Sequence, residues 1–73
     1  MPRTKKGLAN VSALQEAIKK AGSMSALGRL LGITPQAVKA WRDGNASLDA
    51  MRCVEIEKVT GVSRKKLRPD IFA

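Results

Sequence analysis

Hydrophobic residues recur every three or four positions along most of the chain, the spacing that places side chains on one face of an α-helix. The first run comprises Leu8, Val11, Leu14, Ala17, Ile18 and Ala21. The second run comprises Met24, Leu27, Leu30 and Leu31. No alternation typical of a β-strand continues for a useful length. The pattern therefore predicts an all-α fold of four to five short helices around one core.

Capping residues and glycines predict where these helices begin and end, because their side chains or backbones suit helix termini. Pro35 fits a first helical position, where its missing N–H costs nothing. The first three helices are predicted to run from Asn10 or Ser12 to Gly22, from Ser23 to Gly32, and from Thr34 to the Asp43-Gly44-Asn45 cluster.

The last third of the chain is predicted to hold a longer helix and one further turn. Ser47 begins a fourth helix, with Asp49 in its first turn, where negative charge is favoured. This helix runs to about Thr60, and Ser63 caps the turn "RKKL" that follows. Because Pro69 disfavours helix at the residue before it, residues 68–73 are expected to form an extended tail.

Residues 23–43 have the outline of a helix-turn-helix, two short helices joined by a turn that contains glycine. The helices of such a motif cross steeply, so the first needs a small residue where the second passes close, and Gly28 occupies that place. Gly32 supplies the residue that can adopt a positive φ in the turn. The side chains expected to hold the two helices together are Leu27, Leu31, Ile33, Val38 and Trp41.

The charge balance adds a class of partner to this picture. Lys and Arg total 14 against 6 Asp and Glu, a net charge of +8, which favours nucleic acid first and an anionic membrane second. The alternative is that the charge only keeps the chain soluble. The basic start 1–7 is predicted to be a flexible arm preceding a single domain, 8–73. Neither an apolar signal core nor a membrane-spanning run follows that arm, which predicts a cytoplasmic location.

Candidate catalytic chemistry is sparse. The chain has no His, no glycine-rich phosphate loop and one cysteine, Cys53, so we expect neither an enzyme nor a metal site nor a cofactor. Glu55 and Glu57 lie two residues apart, so a helix points them away from each other. The lone cysteine suggests a reducing compartment or a buried apolar thiol.

The third helix divides into two faces when its residues are projected at about 100° each. Ala37, Val38 and Trp41 fall on one side. Gln36, Lys39, Ala40 and Asp43 fall on the other, where Gln pairs with adenine, Lys reaches guanine or phosphate, and Ala contacts a thymine methyl. Asp43 would repel phosphate, so we expect it to cap or pair locally.

These residues also carry a resemblance to known regulators. "ALGRLLGITPQAVKAWRDG" resembles the helix-turn-helix of Cro-like phage repressors. The stretch from Ala17 to Phe72, with "RCVEIEKVTG" and "LRPDIF", is similar to the YdaS family of Cro-like regulators or candidate antitoxins. The resemblance implies a lambda-repressor-like fold and a phage or prophage regulator, associated with the nucleoid, that binds an operator in double-stranded DNA, usually as a homodimer. It also implies that Pro35, Gln36 and Ala40 face the bases. The predicted base-contacting set is Thr34, Pro35, Gln36, Lys39 and Ala40, with Gln36 and Lys39 carrying most of the direct readout.

Phosphate contacts would position such a domain on the duplex. The predicted contacts in the domain are Ser23, Ser25, Arg42, Asn45 and Ser47, and at the entry to the fourth helix, 45–47, the backbone N–H groups are expected to point outward. In the arm, the predicted contacts are Arg3, Lys5 and Lys6. The alternative for the arm is a tail that only adds charge. Lys65, Lys66 and Arg68 are expected to be solvated surface.

The fourth helix has more apolar residues than one side of a small core needs. A dimer interface formed by Met51, Val54, Ile71 and Phe72 would use the surplus. The alternative is that the C-terminal tail folds back over it.

Two further functions stay open at this point. One is an antitoxin that neutralises a toxin by covering it, favoured if 62–73 folds only with its partner. The other is a membrane-surface peptide, which needs an aromatic side chain facing lipid. Trp41 is assigned to the core, so the membrane reading is the weakest.

Overall fold

The computed structural model describes residues 8–72, which form five helices. They are α1 (Val11–Ala21), α2 (Met24–Leu31), α3 (Pro35–Asp43), α4 (Ala50–Thr60) and α5 (Arg64–Leu67). The architecture is the all-α one that the pattern predicts. Residues 1–7, the predicted arm, and residue 73 lie outside the described part. None of the helices between residues 8 and 72 is long and apolar enough to cross a membrane.

Each of the first three helices begins at a predicted capping residue. The side chains of Asn10, Ser23 and Thr34 each accept a hydrogen bond from the backbone N–H three residues on, at 3.0–3.2 Å. Such a bond satisfies one of the donors that a helix start leaves without an internal partner. Pro35 follows Thr34 as the first residue of α3, and Ser63 precedes α5, both as predicted.

The start of α4 corrects the sequence prediction. The helix begins at Ala50, with Asp49 as its N-cap, and the Asp49 carboxylate accepts the N–H of Arg52 at 2.9 Å. Ser47 therefore lies in a loop and not in the helix. The reason is packing: the Leu48 side chain is fully buried in the core, and the chain stays non-helical through Asp49, whose own backbone is extended.

One core unites all five helices. Its buried members are Ala9, Ala13, Leu14, Ala17, Leu27, Val38, Trp41, Leu48, Cys53, Ile56, Val62 and Leu67. Leu30, which the periodicity assigned to the apolar face of α2, is instead 53% exposed. At about 100° per residue it projects to the side of the stripe formed by Met24, Leu27 and Leu31.

The C-terminal segment is also different from the prediction, since 69–71 form a turn and not an extended tail. The backbone N–H groups of Ile71 and Phe72 donate to the carbonyl oxygen of Arg68 at 3.1 and 3.0 Å. Arg68 itself is buried, not solvated, because its guanidinium finds partners inside the fold. Lys65 and Lys66 are exposed, as expected.

Candidate nucleic-acid interface

The turn between α2 and α3 is built around a contact that only glycine allows. A Cβ atom on Gly28 would lie 2.8 Å from the carbonyl oxygen of Ile33 and 3.3 Å from the carbonyl carbon of Thr34. The Ile33 N–H donates to the Gly28 carbonyl at 2.8 Å, so backbone meets backbone there. Gly32 has a φ of 73°, as the turn requires. Both glycine predictions are confirmed, with the turn backbone as the element that passes close to Gly28.

The inner face of α3 fixes this helix against the core. Val38 is fully buried, and Trp41 is 7% exposed. Leu27 of α2 is buried with them, and Leu31 and Ile33 pack against the cluster. The predicted set therefore does hold the two helices together, and the direction of the outer face of α3 is set by this packing.

The outer face of α3 presents few hydrogen-bonding side chains. Thr34, Pro35, Gln36 and Lys39 are exposed, whereas Ala40 is half-buried. The Thr34 hydroxyl already accepts the Ala37 N–H at 3.2 Å, so its acceptor is engaged inside the helix. Of the five predicted base-contacting residues, Gln36 and Lys39 are the exposed ones that bring an amide and an ammonium group.

The C-terminal end of α3 carries a local ion pair. The Arg42 Nε donates to the Asp43 carboxylate at 3.1 Å, and both side chains are about one third exposed. This confirms that Asp43 pairs locally. Among residues 8–72, Nε is the guanidinium nitrogen of Arg42 that this pair engages.

Loop 45–49, between α3 and α4, is turned differently from the prediction. The sequence assigned outward-pointing backbone N–H groups to 45–47. Instead, the N–H groups of Asn45 and Ala46 donate inward to the Ala40 carbonyl at 2.9 and 3.2 Å. What this loop offers to solvent is side chains, because Asn45 and Ser47 are exposed.

Two further predicted phosphate contacts, Ser23 and Ser25, lie at the start of the motif. Ser25 is exposed in the first turn of α2, while the Ser23 hydroxyl accepts the Ala26 N–H at 3.0 Å. At the other end, a Cβ atom on Gly44 would lie 3.6 Å from Cδ1 of Leu8, so Leu8 sits beside the end of α3. Arg3, Lys5 and Lys6 lie outside the described residues, and Leu8 marks where the described chain begins.

The predicted dimer residues are unequally exposed. Met51 is 73% exposed and Ile71 45%, whereas Val54 and Phe72 are half-buried. Phe72 packs against the core, and the Arg64 guanidinium lies 5.7 Å from the centre of its ring. The tail thus folds back in part, as the alternative supposed, but Met51 keeps most of its surface in solvent.

The sequence analysis did not predict two sets of hydrogen bonds, which are made by the side chains of Arg52 and Arg68. Arg52 of α4 bonds Glu55 at 2.9 Å and reaches the Leu31 carbonyl at the end of α2 at 3.4 Å. Arg68 bonds Asp70 through two nitrogens, at 2.9 and 2.6 Å. Two signals in the sequence could have predicted the ion pairs. Arg52 and Glu55 are three residues apart on a helix, and Arg68 and Asp70 flank a proline. Each arginine also bonds a backbone carbonyl distant in sequence, Leu31 for Arg52 and Leu48 for Arg68, and these two contacts depend on tertiary structure.

Two ionisable groups have displaced pKa values. The hydrogen bonds from Arg68 lower the pKa of Asp70 below its ordinary value. Burial raises the pKa of the Cys53 thiol to about 11. Cys53 is therefore a buried, protonated thiol, one of the two readings that the sequence left open.

A family model and two known proteins match most of this chain. A family model described as bacterial toxin YdaS matches residues 14–73. YdaS of Escherichia coli strain K12, named as a candidate transcriptional regulator, is 41% identical over 61 residues, which cover 81% of this chain and 62% of that protein. The gene 30 protein of Enterobacteria phage phi80 is 38% identical over 61 residues, 82% of this chain and 84% of that one.

A solved structure supports the fold. The Cro protein from a candidate prophage element, Xfaso 1, in Xylella fastidiosa strain Ann-1 matches with a TM-score of 0.77 and 43% identity. The match covers 84% of this chain and 95% of that one. The predicted helix-turn-helix fold and the resemblance to Cro-like YdaS proteins are both confirmed. The chain spans less than two thirds of the Escherichia coli relative, 62% of its length.

Proposed function

The chain belongs to the YdaS family, and from that premise we propose that it is a sequence-specific, non-enzymatic DNA-binding regulator of the Cro type. It acts in the cytoplasm, at the nucleoid, as a repressor that reads an operator major groove with α3. The observation that carries the proposal is the construction of α3. Val38 and Trp41 fix one face in the core, and the opposite face holds Gln36 and Lys39 in solvent.

The chemistry of the exposed face suits base edges. The Gln36 amide both donates and accepts, which matches the N6 and N7 atoms of adenine in the major groove. Lys39 reaches guanine or a phosphate, and Pro35 and Ala40 offer apolar contact to a thymine methyl. The N-terminal residues of such a helix are the ones that enter the groove, which is where Gln36 lies.

Phosphate contacts surround that face and supply most of the affinity. The proposed set is Ser23, Ser25, Arg42, Asn45 and Ser47, with Arg3, Lys5 and Lys6 of the arm. These groups come from both ends of the helix-turn-helix. The net charge of +8 favours their approach to the duplex.

The experiment that tests base reading compares Gln36→Ala with Gln15→Ala, an exposed glutamine on α1 outside the motif. A selected operator and a random duplex serve as probes. Gln36→Ala is expected to lose about 1–3 kcal/mol of discrimination between them, whereas Gln15→Ala keeps the parent ratio. Equal discrimination by parent and Gln36→Ala would show that α3 does not read bases through this amide.

Lys39 tests the electrostatic half of the proposal. Lys39→Ala is expected to weaken binding to all duplexes and to lower the salt slope by roughly one, the value for one lost phosphate contact. The matched control is Lys58→Ala, an exposed lysine on α4. An equal change of the salt slope in both variants would show that Lys39 contributes only its net charge and makes no specific contact with the duplex.

We also propose that the protein acts as a homodimer through the surface around Met51, with Val54, Ile71 and Phe72 at its border. A two-fold operator pairs with a two-fold protein, and Met51 is the most exposed large apolar side chain of residues 8–72. Met51→Glu is expected to shift the protein to monomer in sedimentation equilibrium. Leu30→Glu, at another exposed apolar residue, should leave the parent mass unchanged. A monomeric parent would refute the dimer.

The family description favours a second candidate, since it names a toxin, whereas the sequence pointed to an antitoxin as the alternative. A toxin would inhibit growth, and an antitoxin would bind a partner toxin. Induced expression of the parent, of Gln36→Ala with Lys39→Ala, and of Gln15→Ala separates the cases. Growth inhibition that disappears only in the double variant acts through DNA, and inhibition that persists acts through another partner. Rescue of a co-expressed toxin would support the antitoxin.

A further inference from the structure

Arg68 is the one charged side chain that is buried among residues 8–72. Its Nη1 donates to the Leu48 carbonyl at 2.5 Å. Its Nε and Nη2 donate to the two carboxylate oxygens of Asp70 at 2.9 and 2.6 Å. A buried guanidinium is tolerated when it is paired and hydrogen-bonded, and each of the three guanidinium nitrogens of Arg68 has a partner here. We call Arg68, Asp70 and the Leu48 carbonyl the Arg68 clamp.

The clamp acts on the loop that flanks the proposed DNA-binding helix. Leu48 belongs to loop 45–49, which carries the exposed side chains of Asn45 and Ser47 and ends at Asp49, the N-cap of α4. The Leu48 side chain is fully buried, so the residue is held on one side by the core and on the other by Arg68. The other end of the loop is fixed by the two hydrogen bonds to the Ala40 carbonyl.

The C-terminal segment also holds the first described residues. The carbonyl of Leu67, next to Arg68, accepts the Asn10 N–H at 2.8 Å. Asn10 follows Leu8, which lies beside Gly44 at the end of α3. One short segment, 67–70, therefore ties down both the loop after α3 and the start of α1.

We infer that Arg68 is a positioning residue for DNA binding, which holds loop 45–49 in the conformation that presents Asn45 and Ser47 to phosphates. The inference rests on the proposed function. Arg68 touches no DNA in this arrangement, because its guanidinium is turned inward. Arginine is required because its planar fork serves two carboxylate oxygens and a carbonyl together, whereas an ammonium group is a compact point charge.

The experiment uses Arg68→Lys and Asp70→Asn in the full chain. Asp70→Asn changes a half-exposed partner, so it preserves the fold if Arg68→Lys does not. The control is Glu57→Gln, which weakens the Arg64–Glu57 pair at 2.6 Å, another link between the C-terminal segment and α4 that does not reach loop 45–49. Two quantities are measured: amide hydrogen exchange across 45–53, and affinity for operator and random duplex over a range of salt.

We expect Arg68→Lys and Asp70→Asn to exchange faster in 45–53 than the parent and the control. Affinity should fall several-fold for both duplexes alike, with a salt slope close to that of the parent, because the salt slope counts phosphates neutralised by cations and Asn45 and Ser47 are uncharged. This result differs from that of Gln36→Ala, which affects discrimination.

Three results would overturn the inference. Unchanged exchange in both variants would show that the clamp does not hold the loop. Faster exchange with parent affinity would show that the loop conformation does not matter for binding. An equal loss in Glu57→Gln would show general destabilisation. A parent that binds no duplex would refute the proposed function, and the inference with it, whereas these three leave the proposed function standing.

Discussion

At the scale of single residues, small differences in side-chain volume decide whether the helix-turn-helix can form. Gly28 sits inside α2, where glycine costs about 1 kcal/mol relative to alanine. A Cβ atom on Gly28 would lie only 2.8 Å from the carbonyl oxygen of Ile33, which is too close for van der Waals contact. That carbonyl belongs to backbone, which cannot rotate away as a flexible side chain would. The close approach outweighs the helix preference.

Replacement of Gly28 by alanine is therefore expected to destabilise the protein in spite of the better helix former. The added methyl group forces the turn apart, and overpacking of this kind costs about 1–3 kcal/mol. Urea denaturation monitored by Trp41 fluorescence measures the change. Ser25→Ala, at an exposed position of the same helix, should stay within about 0.5 kcal/mol of the parent. An increase in stability for Gly28→Ala would contradict the packing argument.

Cys53 gives a second test at this scale. Since burial raises its pKa from 9.0 to about 11, the folded thiol keeps its proton over a range in which the unfolded thiol ionises. The free energy of unfolding should fall as pH rises from 9.0 to about 11, and this component should be absent in Cys53→Ala. Labelling by a thiol reagent should be slow in the native protein and fast in urea. Rapid native labelling would contradict the burial of the thiol.

At the scale of the helices, capping and packing together decide where an element begins. Ser47 and Asp49 are both good capping residues. Leu48 between them is buried in the core and residues 47–49 are non-helical, so Asp49 is the residue that caps α4. The boundary matters for function, since it places Ser47 in the loop beside α3 and leaves its side chain exposed.

Asp49→Ala is expected to lower the free energy of unfolding by about 1 kcal/mol, through loss of the hydrogen bond from the Arg52 N–H. Asp49→Asn should cost much less, because asparagine caps about as well. Ser47→Ala serves as the second comparison and should change stability by less than about 0.5 kcal/mol. Thermal unfolding followed by circular dichroism measures all three. A larger loss of unfolding free energy for Ser47→Ala than for Asp49→Ala would indicate that the helix begins at Ser47, as the sequence predicted.

At the scale of the whole molecule, the positive charge is carried mainly by lysine. All six acidic residues lie within 8–72, and four of them pair with arginine: Asp43, Glu55, Glu57 and Asp70. The lysines of the described part, Lys19, Lys20, Lys39, Lys58, Lys65 and Lys66, are all exposed. Four of the six arginines are therefore engaged in ion pairs, and the exposed lysines supply much of the field that attracts a polyanion.

The arm is the part of this charge that we expect to contact DNA directly. Replacing Lys5 and Lys6 with alanine is predicted to lower affinity for random duplex and to reduce the salt slope by up to roughly two. Replacing Lys65 and Lys66 removes the same charge from α5, where both side chains are exposed. The slope should then change little. Equal slopes for the two double variants would favour the alternative, an arm that only adds charge.

The local features of this protein were determined by sequence alone. Asn10, Ser23 and Thr34 bond to backbone groups three residues away, and Pro35 and Gly32 act on their own dihedral angles. Such interactions depend on neighbours along the chain, so spacing and residue type suffice to predict them. The two faces of α3 were predictable for the same reason, because the regular helical repeat of about 3.6 residues assigns each side chain to one face.

Tertiary structure decided what depends on residues distant in sequence. The start of α4 is one example, because Leu48, just before it, is buried in the core that the five helices form together. Arg68 shows the reason most directly, since its carbonyl partner on Leu48 lies 20 residues away. A charged side chain beside a proline and an aspartate has the pattern of solvated surface. Only the packing of Leu48 and Leu67 creates the interior position in which that charge is buried and paired.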